Sequence, residues 1–373
     1  MNARRVFALL GRRDEPTDAV EEYCKYLGEA LAAHNLQLEI RGVPWELHGW
    51  PHSLHALKLQ AAAWRDTWVL VQYTALAWSS RGFPLRFLQA LRILAAARAR
   101  IAIVFHDVEP FGGSRIADRV RRMAQLHTMR RAVDLADLIV FTVAVENISW
   151  VGKRSDKSAF IPVGPNLPVP VNAAPAYGSA LAAGEKEVPT IAVFSITGGE
   201  AGARETREII AAARFAAEAL GSIRLCVFGR HAEIREPALR AGLAGASVEL
   251  CVEGVLDAAQ VVERLRSSDV LFFVRGAISS RRSSAIAGIA CGLPVVAYSG
   301  AETASPVTEA GVALVPFEQD ERSRQRQLNS ALVRVLSDST YRAELSSRSR
   351  QVYELHFSWP SIAKRFSALL TAQ

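Results

Sequence analysis

Lysine is scarce in this chain. Of the 44 basic residues only six are lysines: Lys25, Lys58, Lys153, Lys157, Lys186 and Lys364. The remainder are arginines, whose planar guanidinium forks suit phosphate and carboxylate better than a point-like ammonium does. Cysteine is scarce too. Cys24, Cys226, Cys251 and Cys291 form no C-x-x-C pair and have no histidine at metal-ligand spacing. That spacing excludes a zinc module and a disulfide framework and fits a reducing compartment. No apolar run approaches the roughly 18 residues that a membrane span needs. The opening "MNARRVFALLGRRDEP" is basic and then apolar. Its apolar stretch is too short for a secretory signal, so it reads as a first strand. The expected location is therefore cytoplasmic, either free or peripheral to the inner face of the membrane. Zinc-finger spacing, RNP motifs and basic aromatic stretches are also absent. The formal net charge of +7 thus points less to nucleic acid than to phosphorylated small molecules or an anionic membrane surface.

What is present is a regular alternation. Short apolar strands ("RVFALL", "LQLEIRGV", "WVLVQY", "RIAIVFH", "LIVFTV", "SAFIPVG") flank helical stretches at 20–33, 86–97 and 119–132. A proline-rich and then small-residue stretch, 169–189, breaks the rhythm and reads as a linker. The alternation restarts with "TIAVFSI", "IRLCVFG", "SVELCVEG", "DVLFFV", "LPVVAY" and "VALVPF". Helices are expected at 206–219, 258–267, 284–290, 324–336 and 340–355. Repeated strand–helix units predict parallel sheets. With 373 residues, two cores are expected rather than one. The predicted fold class is α/β, with two Rossmann-like doubly wound domains at 1–168 and 190–355. Ligands in such sheets bind beyond the carboxyl ends of the strands.

Several stretches carry a family resemblance. "ACGLPVVAYSG", "VELCVEGVLDAAQVVERLRSSDVLFFV" and the terminal "FSWPSIAKRFSALL" resemble the GT-B-fold glycosyltransferases of the retaining family-4 (group 1) type. "GRRDEPTDAVEEYCKYLGEAL" and "FHDVEP" occupy the places of that family's first loop and its histidine-containing loop. The resemblance implies two domains facing across a cleft and a terminal helix, 356–373, crossing back to the first domain. It also implies sugar transfer from a UDP- or GDP-linked donor to an acceptor hydroxyl, without other cofactor and without metal. The donor would sit on the second domain, and a glycan, lipid-linked or glycoside acceptor on the first. Two glutamates that the resemblance places at the positions of Ser279 and Ala287 are missing. Their absence keeps a non-catalytic nucleotide-sugar-binding scaffold, and more remotely a nucleotide-sugar epimerase, as alternatives.

The candidate site residues follow the strand ends. "SSRRSSAIAGIACGLPVVAYSG" places Arg281 and Arg282 after a strand, with Ser283 and Ser284 opening the next helix. Guanidinium groups and a helix N-terminus both favour a diphosphate; a solvated basic turn is the plainer reading. Gly198 and Gly199 would allow close backbone approach of a ligand, with Arg204 and Arg207 following in uncertain register. Gly229 with Arg230 and His231, and Glu253 with Gly254, end two further strands and are expected near the nucleotide base. In the first half, Gly11, Arg12 and Arg13 follow the first strand and are expected against the donor phosphates. Asp14, Glu15 and Asp18 read as exposed, with Thr17 or Asp18 capping the next helix. His106 and Asp107 are the catalytic candidates: they end a strand where they could contact the sugar or activate the acceptor. Trp45, Trp50, Trp64, Trp68 and Trp78 either line an acceptor groove or pack the core.

Overall fold

A computed structural model describes residues 3–14, 18–113, 115–169, 188–317 and 320–372. The expected linker lies almost entirely outside the described residues. The chain divides into two compact units, Met1–Asn166 with Trp359–Gln373, and Leu167–Ser358.

The first unit alternates strand and helix: β1 (Arg4–Leu10), α1 (Ala19–Ala32), β2 (Leu36–Gly42), α2 (Trp45–Ala61), β3 (Trp68–Tyr73), α3 (Phe87–Ala96), β4 (Arg100–Phe105), α4 (Ile116–Leu135), β5 (Leu138–Phe141) and β6 (Ser158–Phe160). All pairs are parallel, in the order β2-β1-β3-β4-β5-β6. Every residue of β3 is buried, as expected for a central parallel strand covered by helices on both faces. The strand order reverses between β1 and β3, which opens a crevice at their carboxyl ends.

One expectation for this unit changes and one that was open resolves. Asp18 is buried, not exposed, because its carboxylate caps α1: it accepts from the N–H groups of Val20 (2.8 Å) and Glu21 (2.9 Å). Of the two readings of the tryptophans the core one holds for four of the five, and Trp50 is part-buried against that core. Trp64, Trp68 and Trp78 are buried and Trp45 nearly so; Phe7 stacks on Trp64 at 4.5 Å.

The second unit contains β7 (Thr190–Phe194), α5 (Gly199–Leu220), β8 (Ile223–Phe228), α6 (Ala232–Leu243), β9 (Val248–Val252), α7 (Ala258–Arg266), β10 (Val270–Ala277), α8 (Ser283–Ala290), β11 (Val295–Ser299), β12 (Val312–Pro316), α9 (Glu321–Ser337) and α10 (Ser339–Val352). Its parallel sheet runs β12-β11-β10-β7-β8-β9. Counted within the unit this is the order 6-5-4-1-2-3 of a dinucleotide-binding sheet, with its switch point between β7 and β10. The Cys-Gly-Leu-Pro turn ends α8. Gly292 adopts φ +71°, and the Leu293 N–H donates to the Gly288 carbonyl at 2.9 Å. Glycine tolerates that left-handed end of a helix at no steric cost.

Residues Tyr353–Phe357 form one π-helical turn, and α11 (Trp359–Thr371) belongs to the first unit. There Trp359 stacks on Tyr26 at 5.6 Å, and the Trp68 indole N–H donates to the Leu370 carbonyl at 3.0 Å. A Cβ on Gly164 would stand 2.5 Å from the Trp359 ring, so glycine there is what lets the helix seat. The doubly wound α/β fold expected from the sequence is thus observed in both halves.

Candidate functional site

The second unit gathers cations at its switch point. The register of β10 on β11 runs Leu271–Val295, Phe272–Val296, Phe273–Ala297 and then jumps to Ala277–Tyr298. Val274, Arg275 and Gly276 are skipped, and Gly276 takes φ +81°. Such a bulge re-aims a side chain at a strand end. Here it turns Arg275 toward the first turn of α8, with Nη1 3.4 Å from Ser284 Oγ. The Arg275 Nε is buried and finds no acceptor. Burial lowers the pKa of this guanidinium, the buried carboxylate of Glu205 opposes that, and the neighbouring Arg230 lowers it further. Glu205 is itself committed, accepting from the Thr197 N–H at 2.7 Å. The desolvated Arg275 at the end of β10 thus stands beside a helix N-terminus, with the charge of Arg230, which follows β8, acting on it, an arrangement that an anion would relieve.

The loops around this point are tightly built. Ser195, directly after β7, adopts φ +67°, a conformation of the kind that clusters at functional sites. Its Oγ accepts from the Arg230 N–H at 3.3 Å. Gly229, at φ +91°, lies beneath that hydroxyl; a Cβ there would stand 2.6 Å from Ser195 Oγ. Gly198 caps α5, and Gly199 opens it at φ +63° with free space where a side chain would be.

The other expected ligands sit as follows. Arg204 is half-buried on α5, near enough to the Glu208 carboxylate to lower its pKa. Arg207 is exposed. Both oxygens of Glu253 are held by Arg264 at 2.7 Å, which holds that carboxyl below its usual range despite partial burial. The Gly254 carbonyl accepts from the Gly229 N–H at 2.8 Å, tying the ends of β8 and β9 together. Arg282 is the N-cap of α8, followed by Ser283 and Ser284 in its first turn. Arg281 is different: it forms a bidentate ion pair with Glu302, at 2.7 and 3.0 Å. Burial pushes the Glu302 carboxyl up, but Arg281, Arg282 and Ser279 outweigh it and hold the carboxyl below its ordinary value. The charge of Arg281 is thus already matched inside the protein. Ser279 and Ala287 are both fully buried.

The first unit has its own crevice, where the order reverses between β1 and β3. A cavity of about 330 Å³ is lined by Gly11, Arg12, Asp18, Gln72, Thr74 and Asp107 among others. Gly11 is required by close approach: a Cβ there would lie 2.3 Å from the Ala77 carbonyl oxygen. The Arg12 N–H donates to that same oxygen at 2.7 Å, and the Trp45 indole at 2.8 Å. Arg12 reaches Glu46 at 3.3 Å, and Arg13 pairs with Glu21 at 2.8 Å. At the end of β4, Asp107 Oδ2 accepts from the Ala75 N–H at 2.8 Å. His106 Nε2 lies 2.8 Å from Gln72 Oε1. Gln72 Nε2 donates to the Leu70 carbonyl, so its oxygen faces the ring and the histidine carries its proton on Nε2. Tyr23 packs edge-on against His106 at 5.1 Å. Both catalytic candidates are therefore held rigidly at a strand end, Asp107 in the cavity wall.

Arg275 is the residue that strand reading overlooked. The apolar run "DVLFFV" stops one residue short of it. The available signal was an arginine and a glycine closing an otherwise apolar central strand.

No protein-family model matches this sequence, and no curated protein matches it. Solved structures do. A glycosyltransferase from Rickettsia africae is similar over 100% of this chain and 100% of its own, at 11% identity and a TM-score of 0.65. HepE from Anabaena, crystallised with UDP and glucose, is similar over 99% of this chain and 100% of its own, at 14% identity and a TM-score of 0.63. A UDP-N-acetylglucosamine 2-epimerase from Listeria monocytogenes, so described provisionally, is similar over 99% and 96%, at 14% identity and a TM-score of 0.60. At such identities the likeness establishes architecture: this chain has the two-unit, Rossmann-like GT-B fold seen in glycosyltransferases.

Proposed function

We propose that this chain is a glycosyltransferase that moves a sugar from a nucleoside-diphosphate sugar to an acceptor hydroxyl in glycan or glycoconjugate synthesis. The observation that carries the proposal is the desolvated Arg275, beside Arg230 and the first turn of α8, at the β7–β10 switch point. The second unit takes the donor: its diphosphate on Arg275, Arg230, Arg282, Ser283 and Ser284, and its nucleoside along Gly198, Gly199, Gly229 and Gly254. UDP is the first nucleotide to test, because HepE was crystallised with it. The first unit takes the acceptor in the cavity at β1 and β3.

In the reaction, the bond from the sugar C1 to the β-phosphate oxygen breaks and its electron pair leaves with the diphosphate. The acceptor oxygen forms the new bond to C1. Arginine and helix-end N–H groups stabilise the growing negative charge, a role that a metal ion has elsewhere. For transfer with retention, of the hexosyl type that the family-4 resemblance implies, the acceptor proton ends on the leaving phosphate. His106 and Asp107 then orient the acceptor hydroxyl. In an inverting reaction Asp107 is the base.

The test is a thermal-shift series with UDP, GDP, ADP, CMP and dTDP. A ligand that binds only the folded chain raises its midpoint by mass action, by about 2.7 kcal/mol of stability at a hundredfold excess over Kd. One nucleoside diphosphate should raise the midpoint clearly and its free nucleoside should not. A flat response to all five rejects the proposal.

A further inference from the structure

Two of the free cysteines face one another across the second sheet. Cys226 on β8 and Cys251 on β9 are register partners in a parallel pair. Neighbouring strands lie about 4.7–4.9 Å apart, within the Cα separation of roughly 4.4–6.8 Å that a disulfide spans. Register partners share a face of the sheet, and on this face they meet. Two residues earlier Arg224 and Glu249, also partners, form an ion pair at 3.0 Å across the same two strands. The other face, with Leu225, Val227, Leu250 and Val252, packs into the core of the unit.

Access to the two thiols differs. The strand β9 is the outermost of its sheet and pairs with β8 on one side. Cys251 is half-exposed there, whereas Cys226 is 8% exposed. Burial, with the neighbouring Cys251 adding to it, pushes the Cys226 thiol up to about 11 against the pull of Arg224 and Arg264. Cys226 is therefore a poor first nucleophile, and Cys251 is the thiol that a reagent in solution meets. The remaining cysteines stand apart from the pair: Cys24 is on α1 of the first unit, and Cys291 follows α8.

We infer that Cys226 and Cys251 are a redox modification site, cross-linked by exchange with a small disulfide of the glutathione class. The Cys251 thiolate attacks one sulfur of that disulfide; a mixed disulfide forms and one glutathione leaves. The Cys226 sulfur then attacks the Cys251 sulfur. The new bond joins the two strands, the second glutathione leaves, and the Cys226 proton ends on it. The two cysteines lose two electrons, and the small disulfide gains them as it becomes two thiols. Excess reduced glutathione runs the same exchange backward. The cross-link ties the edge strand β9 to the sheet. The inference stands apart from the proposed reaction: it uses no residue of either strand-end site.

The test is intact mass and thiol count of the full, reduced chain after incubation with oxidised glutathione. The mass should fall by two hydrogens, and the free thiols should drop from four to two. Proteolytic fragments should show Cys226 joined to Cys251, and excess reduced glutathione should restore all four thiols. Amide exchange along β9 should slow on oxidation, because a tethered edge strand opens less often. Cys251→Ser, at a half-exposed position, should abolish the mass loss and leave the melting midpoint of the reduced chain near wild type. The inference is overturned by a chain that does not react, or that keeps glutathione attached without losing two hydrogens. A cross-link between other cysteines or between two copies overturns it as well. So does β9 exchange that fails to slow, which would place bond formation in an opened sheet rather than in the observed register.

Discussion

Replacing Arg275 by alanine should weaken nucleoside-diphosphate binding between about tenfold and about a hundredfold. Hydrogen bonds to charged groups are worth roughly 1.5–3 kcal/mol, and about 1.4 kcal/mol is tenfold. Binding of the free nucleoside should change little, because it has no phosphate to lose. The apo protein supplies a second, opposite signature. Arg275 is a desolvated cation with an unsatisfied Nε, on which the buried Glu205 carboxylate and the like-charged Arg230 act in opposite directions. Removing it should leave apo stability unchanged or raise it, while the midpoint shift caused by ligand shrinks. Calorimetric titration with UDP and uridine, beside melting curves, measures both. If Arg275 were merely structural, its loss would lower the apo midpoint and affect both ligands alike. Arg281→Ala is the contrast. Its partner Glu302 is half of a two-bond ion pair, so its loss should cost stability and leave the preference for phosphate intact.

The largest stability effect is expected at Arg324→Leu. Arg324 and Glu208 pair at 3.3 Å with side chains 8% and 3% exposed. Arg324 also lies over the Phe317 ring at 4.7 Å. Removing one partner of a buried pair costs about 3–5 kcal/mol, because the other charge is left without compensation. For a unit of this size that lowers the midpoint by roughly 10 °C or more. The pH dependence follows from Glu208, whose carboxyl burial already pushes up against the pull of Arg324 and Arg204. A carboxyl with a raised folded pKa is tolerated best when protonated, so stability is present at low pH and lost as pH rises through that pKa. Without Arg324 the group titrates higher still. The deficit of the variant should therefore shrink in acid and grow toward neutral pH. The double change Glu208→Leu with Arg324→Leu should recover most of the loss. Melting curves across pH decide; a variant within a degree or two of wild type at neutral pH would show that the pair contributes little.

The strands were legible because parallel strands covered on both faces are short apolar runs, and all twelve sequence runs overlap an observed strand. Two helices were not. Gly49, at φ +73°, and Pro51 interrupt the pattern of α2, and Pro237 sits inside α6. At Gly49 the backbone leaves helical geometry, so α2 is two helical segments across a kink, whereas α6 continues through Pro237. Helix α5 begins at Gly199, seven residues before its apolar periodicity does. At the site, the sequence located the strand ends but not the partners. Glu302 is 21 residues from Arg281 and Glu253 is 11 from Arg264. Such pairings depend on which strand ends meet, so an arginine that looks available in the sequence can be neutralised in the fold. Arg275 is the converse: it reads as the end of an apolar strand, and only the bulge in β10 shows where it points.

The most direct test of the central claim is turnover of a donor. The purified chain is incubated with UDP- and GDP-linked sugars, and nucleoside diphosphate release is followed, with Arg275→Ala alongside. A glycosyltransferase should release nucleoside diphosphate slowly from its own donor even onto water, faster with a glycan acceptor, and much less in the variant. Binding of nucleoside diphosphate with no release from any donor would contradict the account in favour of a nucleotide-sugar-binding scaffold. Release accompanied by an epimerised sugar, needing no acceptor, would contradict it in favour of an epimerase.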